Sequence, residues 1–438
     1  MKSPDFFSLI SSTGKRYVNT PLRLYLLFFV LSQILYQIGL TSTTMHVFDE
    51  SHYISAAQVL LDEGRIKITE HPPLGVQIIA TGIKLFGDNP FGWRAASALF
   101  GSLLIVALMM LCFACGLRPA QVIYIATLSL CSAFIYIHAR IAMLDIFMAT
   151  LIVFAIAVFV TALTAADKST KILLLVLSAM LWGFAVACKW TAVIGFAATL
   201  YYMLMLKIVK SMRLSRYQMH FSYSWHDPRY LANINIISLY TVYLASFFAA
   251  YALPYFLVGE FNIVHAVKES WELQHLVPAE HNYYSAAWKW PLMLRPIWYE
   301  YVGDSNNKLQ AILCLGNPVI LLAGLVGLIY SFFSWWKYQS LFSFLCLFFY
   351  GAFYGAWFIT AREAAYHYYY FVPSLFLLLS LGQQCSLGLG AKRRYIAYGI
   401  LALAALLFVW YFPVTSGLPL LPKDHNLLRL WAWFVAWI

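Results

Sequence analysis

Long apolar runs, each of about 20 residues and nearly free of charge, recur through most of the chain. A helix needs a run of about this length to cross the hydrocarbon core of a bilayer. Of the 438 residues, 62% are hydrophobic and 11% are charged, which is too little charge to cover the surface of a soluble protein. The sequence therefore predicts an all-α polytopic membrane protein with about eleven transmembrane helices, at 22–40, 95–115, 121–138, 143–165, 172–187, 190–206, 234–258, 311–333, 339–358, 368–385 and 396–413.

The distribution of basic residues predicts the orientation of these helices. With the N-terminus inside, the inner segments carry 16 of the 29 Lys and Arg residues but only three of the 18 acidic residues. Lys and Arg concentrate on the cytoplasmic side of membrane proteins, so this pattern indicates a cytoplasmic N-terminus. The net charge of +11 then reflects topology and contact with membrane lipids, and we expect no nucleic-acid partner. The first apolar run lacks a small-residue cleavage site, so we expect it to remain as an anchor.

Two outer segments, at 41–94 and 259–310, are too long to be simple turns. Loops held by a rigid scaffold often carry function, and these two are expected to contain short interfacial helices. They divide the chain into an N-terminal transmembrane catalytic region at 1–258, an outer-face loop at 259–310 and a C-terminal four-helix region at 311–438. The seven cysteines all lie in or beside apolar runs, which argues against a disulfide framework or a zinc site in the loops.

The first outer loop begins with two adjacent carboxylates, Asp49 and Glu50, directly after a membrane helix. Transfer of a group to a hydroxyl needs a base to accept the hydroxyl proton. Asp49 is our candidate for that base, with Glu50 as a neighbour that orients substrate. The same pair could instead only cap the following helix. A metal site formed by His46, Asp49 and His52 is a further alternative, although imidazoles near a carboxylate are common without metal.

The first loop continues with His71, followed by two prolines that fix a turn. The turn aims the imidazole at a defined place, which is either the site itself or an anchor for the loop.

Further charged residues fall on the same outer side as Asp49. Arg140 and Asp145 lie in the second outer turn, where they either pair with each other or leave Arg140 to bind a phosphate. Lys189, between two spans, either snorkels outward or adds to that phosphate site. Arg362 either forms a surface pair or joins the same cluster. Cations opposite a carboxylate suit a reaction that expels a phosphate and deprotonates an alcohol, which favours an enzyme.

At these positions the sequence resembles the protein O-mannosyltransferase family of membrane glycosyltransferases, and the match extends over nearly the whole chain. In the first half it is carried by Phe48-Asp49-Glu50, His71-Pro72-Pro73-Leu74-Gly75, the segment from Arg140 to Asp145, and Lys189-Trp190. In the second half it is carried by His281-Asn282-Tyr283-Tyr284-Ser285, Trp288-Lys289-Trp290-Pro291-Leu292, Arg295-Pro296, Leu315-Gly316-Asn317-Pro318, and Tyr366 to Tyr370 with Pro373.

The resemblance implies a GT-C type fold and transfer of mannose from polyprenyl-phosphate-mannose to Ser or Thr of a translocated protein. It also implies inversion at the sugar, with no required metal or other cofactor. Asp49 takes the role of base, Glu50 that of supporting acid and Arg140 that of donor-phosphate ligand. Lys189 and Arg362 are added to the phosphate site because both are positively charged and both are predicted on the outer side. The residues expected to position substrate are His71, Asp145, His281 and Trp290.

Eukaryotic members of this family carry a large soluble domain where this chain has only 259–310, which suggests the compact bacterial form. We therefore expect the plasma (inner) membrane, with the active site on the periplasmic or extracytoplasmic face. One alternative is a related transferase with a glycolipid acceptor, such as lipid A, but the tryptophan-rich segment 281–296 favours protein as acceptor. Another is a transporter of lipid-linked sugars, which predicts charges near mid-membrane and matched broken helices.

Overall fold

A computed structural model of the chain describes residues 15–67, 70–165, 167–211, 236–275, 283–303, 308–359, 365–386 and 391–422. Within these ranges the fold consists of α-helices and one small antiparallel sheet. The helices are α1 (Lys15–Gln37), α2 (Glu50–Glu63), α3 (Leu74–Phe86), α4 (Pro90–Ala114), α5 (Pro119–Leu130), α6 (Ala133–His138), α7 (Leu144–Thr164), α8 (Lys168–Cys188), α9 (Val193–Ser211), α10 (Ile236–Phe256), α11 (Ile263–His275), α12 (Pro318–Tyr338), α13 (Leu341–Ile359), α14 (Phe371–Ser386) and α15 (Ala391–Thr415). The strands are β1 (Ile297–Gly303), β2 (Lys308–Cys314) and β3 (Leu421–Pro422).

Seven helices of the described structure are long and apolar enough to cross a membrane, namely α4, α7, α8, α10, α12, α13 and α15. Each coincides with one of the predicted spans. The other four predicted spans fall on α1, on α5 with α6, on α9 and on α14, which do not meet the same criterion of length and hydropathy over the described residues. The all-α polytopic fold class is confirmed, and the number of spans stays a prediction.

The apolar run predicted at 121–138 is not one continuous helix, because two helices occupy it. The first, α5, ends at Leu130, and α6 begins at Ala133. Ser132 lies between them in an extended conformation, and its hydroxyl accepts the backbone N–H of Ile135 at 3.5 Å. Serine is favoured at helix N-termini because its hydroxyl can accept such a backbone N–H. Ser132 therefore begins a new helix within the apolar run. The break leads into the second outer turn, which carries Arg140.

The span predicted at 311–333 is also wrong at its start. Residues 308–314 form β2, which pairs with both β1 and β3. The helix α12 begins only at Pro318, where the Asn317 side chain accepts the N–H of Val319 at 3.1 Å. A short apolar run fits a buried strand as well as a helix, which is why hydropathy alone missed the hairpin. The hairpin therefore crosses the predicted boundary at residue 311.

The described parts of the two outer segments contain short elements of secondary structure. The first contains α2 and α3, and the second contains α11 followed by the β1–β2 hairpin. The short helices predicted for both segments are present. The hairpin joins the first segment directly, because the Gln310 side chain donates to the Ser42 carbonyl at 3.1 Å.

Candidate active site

A buried ion pair fixes the start of the first outer segment. The Arg94 guanidinium donates to both carboxylate oxygens of Glu50, each at 2.8 Å, and both side chains are almost completely buried. The same carboxylate accepts the backbone N–H groups of Val47 at 2.8 Å and Ala142 at 2.7 Å. Arg94 also donates to the carbonyls of α1's exit segment, at Leu40 and Thr43. Glu50 therefore joins three segments, and its oxygens are occupied by protein donors.

The predicted role of Glu50 in orienting substrate is not supported by this arrangement. A carboxylate with four protein donors has no lone pair directed at an incoming molecule. Its position is better explained as that of an anchor for the residue before it, Asp49.

Asp49 lies directly before α2 with helical backbone angles, φ −69° and ψ −6°. Its side chain makes no capping hydrogen bond, so the alternative that the acidic pair only caps the helix does not hold for Asp49. The preceding residue, Phe48, has a positive φ of 50°, which is costly for a side chain with a Cβ. The Phe48 ring stacks on Tyr299 with ring centroids 4.6 Å apart. This contact holds the strained backbone that presents Asp49.

The pKa of Asp49 is raised from 3.8 to about 6. Burial is the largest cause, because a low-dielectric environment disfavours the charged carboxylate. The Lys189 ammonium lowers the pKa of Asp49, while the Asp145 carboxylate raises it again. A carboxyl group with a pKa near 6 is basic enough to accept a proton and still ionised at neutral pH.

Lys189 and Asp145 form the second buried ion pair of the site. The ammonium lies 2.9 and 2.8 Å from the two carboxylate oxygens, and both side chains are buried. The ammonium also faces the rings of Tyr368 and Tyr369, at 5.2 and 5.7 Å from their centroids. The Lys189 side chain does not extend outward to the membrane surface. Of its two predicted roles, only that in the buried phosphate site remains.

A small pocket opens beside this ion pair. Apart from Asp145 and Thr191, its walls are mainly apolar and aromatic, and they come from helices α7, α9, α13 and α14 and the residues around them. They include Met148, Ile194, Phe353, Trp357, Tyr368, Tyr369 and Phe371. An apolar pocket that ends at a buried charged pair can hold a molecule with a hydrocarbon part and a polar head.

Arg140 does not pair with Asp145, which was one of its two predicted roles. Its guanidinium donates to the carbonyls of Tyr36 at 3.3 Å and Ser416 at 2.7 Å, and it lies 4.8 Å from the Tyr136 ring centroid. It is not among the charges that act on Asp49. These contacts join α1 to the segment after α15. Arg140 therefore connects two segments that lie far apart in the sequence.

The remaining predicted residues separate into three groups. The His71 ring lies 6.5 Å from the ring of Tyr53, which is one helical turn after Asp49 on α2. Trp290 is completely buried, and its indole N–H donates to the Ser285 carbonyl at 2.9 Å. It therefore stabilises the second outer segment rather than facing a substrate. His281 and Arg362 lie outside the described residues.

The metal alternative has no support in the described structure. Among those residues, no group of three or more His, Cys, Asp and Glu side chains is placed to hold a metal ion, and this includes His46, Asp49 and His52.

Sequence reasoning missed two residues of this site. Arg94 stands one residue before a predicted span, and a charge entering an apolar helix is a signal of a buried partner. Tyr299 had no such signal. It is buried because side chains alternate along β1, where Ile297 and Tyr299 share the buried face, and this strand was not expected from the sequence.

Comparison with known proteins agrees with the family predicted from the sequence. The family model described as dolichyl-phosphate-mannose-protein mannosyltransferase matches residues 70–222. The polyprenol-phosphate-mannose–protein mannosyltransferase of Mycolicibacterium smegmatis is 24% identical over 88% of this chain and 86% of its own length. The protein of the same name from Mycobacterium tuberculosis is 23% identical over 90% and 87%. The resemblance to the protein O-mannosyltransferase family is confirmed.

Solved structures show the fold. The protein O-mannosyltransferase complex of S. cerevisiae bound to its sugar donor aligns with a TM-score of 0.78, at 14% identity, over 100% of this chain and 95% of that chain. ArnT from Cupriavidus metallidurans bound to undecaprenyl phosphate aligns with a TM-score of 0.59, at 16% identity, over 89% and 64%. The predicted GT-C type fold is confirmed.

Proposed function

We propose that this chain is a polyprenyl-phosphate-mannose–protein mannosyltransferase, with Asp49 as its catalytic base. The curated relatives carry this activity in their names, and they match this chain over most of its length. The yeast complex, whose structure holds its sugar donor, has the highest TM-score among the structures compared above.

The observation that carries the proposal is the state of the Asp49 carboxylate. It makes no cap hydrogen bond, its pKa is raised to about 6, and a buried lysine lies near enough to act on it electrostatically. A base needs a free lone pair, and a leaving phosphate needs a cation. Asp49 and Lys189 supply both within one site.

In the transfer, Asp49 accepts the proton of a Ser or Thr hydroxyl. The hydroxyl oxygen forms a bond to the anomeric carbon of mannose, while the bond from that carbon to the phosphate oxygen breaks. Polyprenyl phosphate leaves with the negative charge, which the Lys189 ammonium stabilises. Attack from the side opposite the phosphate inverts the anomeric configuration, and no step requires a metal.

The pocket beside Asp145 suits the first prenyl units of the donor. Its walls come largely from the helices and are mainly apolar, and the Lys189–Asp145 pair lies at its polar end. A phosphate at that end would take Lys189 as its cation, in place of the predicted Arg140. Arg362 stays a prediction for the same role.

The expected location is the plasma membrane, with the site on its extracytoplasmic face. The argument is the excess of Lys and Arg in the segments opposite Asp49. A hydroxyl acceptor would then reach Asp49 from the aqueous side as the protein emerges from translocation.

The test is transfer of labelled mannose from polyprenyl-phosphate-mannose by membranes that contain the protein. Two acceptors are offered separately, a Ser/Thr peptide and a lipid A-type glycolipid, with donor integrity confirmed at the end. We expect label in the peptide alone. Label in the glycolipid alone would replace the proposal with the glycolipid alternative, and label in neither would contradict the transferase assignment.

A further inference from the structure

A groove lies between the two outer segments, apart from the pocket beside Asp145. Its floor consists of Ala56 and Leu60 on α2 together with Val76 on α3, and Ala266 on α11 closes the opposite wall. It is formed almost wholly by the outer segments, so it is reached from the side on which Asp49 lies. The mechanism above does not use it.

The groove lies on the same face of α2 as Asp49. Asp49, Tyr53, Ala56 and Leu60 are spaced by four, three and four residues, which places them along a single stripe of a helix. Asp49 itself has helical backbone angles, and its carbonyl accepts the N–H of Tyr53 at 3.2 Å, so the stripe is continuous through it. At 1.5 Å per residue, Ala56 is about 10 Å and Leu60 about 16 Å along the helix from Asp49.

These distances match the length of a short polypeptide. An extended chain advances about 3.3 Å per residue, so 10 to 16 Å corresponds to about three to five residues. A polypeptide whose hydroxyl lies at Asp49 and which follows α2 would place a residue at that separation in the groove.

The lining also fits a polypeptide better than a prenyl chain. Lys67, His71 and Glu260 contribute to it, so both signs of charge are present beside the apolar floor. Backbone amides and a small aliphatic side chain suit such a mixed surface, whereas a prenyl chain would leave these polar groups desolvated. The pocket beside Asp145 offers that chain mainly apolar walls.

We propose that this groove binds the acceptor polypeptide about three to five residues from the glycosylated Ser or Thr, with preference for a small aliphatic side chain there. The site is then selective for sequence around the hydroxyl, and α11 forms its outer wall. The inference rests on the proposed function, because it assumes that the acceptor is a polypeptide.

The first test compares two acceptors and two matched variants. A nine-residue peptide has Ser at its centre and Val four residues away on each side, and a blocked three-residue peptide has Ser at its centre. Ala266→Leu adds bulk at a position that is 3% exposed in the groove, while Val264→Leu alters a neighbour on the same helix that is 81% exposed. We expect Ala266→Leu to raise KM for the long peptide at least tenfold, with little change for the short peptide or for the donor. Val264→Leu should leave all three unchanged.

The second test uses the unaltered protein, so it does not depend on how a variant folds. A photoreactive side chain replaces Val four residues from Ser, on one side and then on the other. The proposal expects cross-links within residues 56–76 or 255–270, which line the groove, from at least one of these peptides. Cross-links only outside these segments, or cross-links to the groove-lining residues from a photoreactive prenyl donor, would overturn it.

The outcomes separate this inference from the proposed function. Equal use of long and short peptides, together with cross-links elsewhere, overturns the groove assignment and leaves the transferase intact. Absence of transfer to either peptide by the unaltered protein removes the proposed function, and the groove assignment falls with it.

Discussion

At the scale of single residues, the adjacent carboxylates of Asp49 and Glu50 differ in their hydrogen bonding. Glu50 is occupied by Arg94 and by two backbone N–H groups, while Asp49 has no cap hydrogen bond and a raised pKa. The sequence predicted Asp49 as base from its place after a membrane helix. It could not separate the two roles, because the partners of Glu50 come from α4 and from the second outer turn, far along the chain.

The raised pKa of Asp49 predicts how transfer depends on pH. The base is active only when ionised, and its pKa is about 6. We expect kcat/KM for the peptide to fall about tenfold for each pH unit below that value and to level off above it. A rate profile from pH 4.5 to 8, with donor saturating and membrane integrity checked, measures this. A profile that stays level down to pH 4.5 would contradict it.

The same pKa predicts a gain in stability when Asp49 is neutralised. The pKa of Asp49 in the folded protein lies above the ordinary value of 3.8, so the folded state holds this proton more tightly than the unfolded state does. The free energy of unfolding therefore falls as pH rises through about 4 to 6. At neutral pH the whole destabilisation caused by the ionised Asp49 carboxylate is present. Asp49→Asn should stabilise the protein at pH 7.5 by on the order of 2–3 kcal/mol and by much less at pH 4.5.

Thermal unfolding in detergent at the two pH values measures that difference. Asp62→Asn, at an exposed position on α2, serves as the matched control and should change the melting temperature little at either pH. A lower melting temperature for Asp49→Asn at pH 7.5 would show that its carboxylate stabilises the fold.

At the scale of elements, one buried ion pair fastens the first outer segment to α4, and a second joins α7 to the end of α8. Arg94 in α4 holds Glu50 at the start of α2, and Lys189 at the end of α8 holds Asp145 at the start of α7. The sequence predicted that Arg140, Asp145 and Lys189 need partners. One of the two roles predicted for Arg140 was a pair with Asp145, because they are near in sequence, whereas the fold satisfies Arg140 with carbonyls from two distant segments.

Breaking the Arg94 pair should destabilise the protein strongly. Arg94→Met leaves the Glu50 carboxylate buried without its cation, and loss of one partner of a buried pair typically costs about 3–5 kcal/mol. Arg65→Gln removes a pair with Glu63 whose side chains are 67% and 48% exposed, and should cost at most about 1 kcal/mol. Equal melting temperatures for the two variants would contradict the anchoring role of Arg94.

At the scale of the whole molecule, apolar runs predicted most of the helices and the charge pattern predicted an orientation. Seven predicted spans became long apolar helices. The β1–β2 hairpin was not predicted, because its apolar second strand merges with the helix that follows. The site depends on a long-range contact of this hairpin, since Tyr299 on β1 stacks on Phe48 in the first outer segment.

The predicted orientation places α2 outside the cell membrane and the end of α12 inside it. Cysteine introduced at Asp62, exposed on α2, should react with a membrane-impermeant thiol reagent in intact cells. Cysteine at the exposed Lys337 on α12 should react only after the membrane is opened. Six native cysteines are buried and Cys385 is half-buried, so the unaltered protein gives the background. The reverse pattern of labelling would place the site on the inner face.

The most direct test of the account is mannose transfer to a Ser/Thr peptide by Asp49→Asn, compared with the unaltered protein and with Asp62→Asn at equal expression. Loss of a general base typically lowers the rate by about 10²–10⁴-fold. We predict a loss in that range for Asp49→Asn, unchanged affinity for the donor and full activity for Asp62→Asn. Transfer by Asp49→Asn at the rate of the unaltered protein would show that another group accepts the proton.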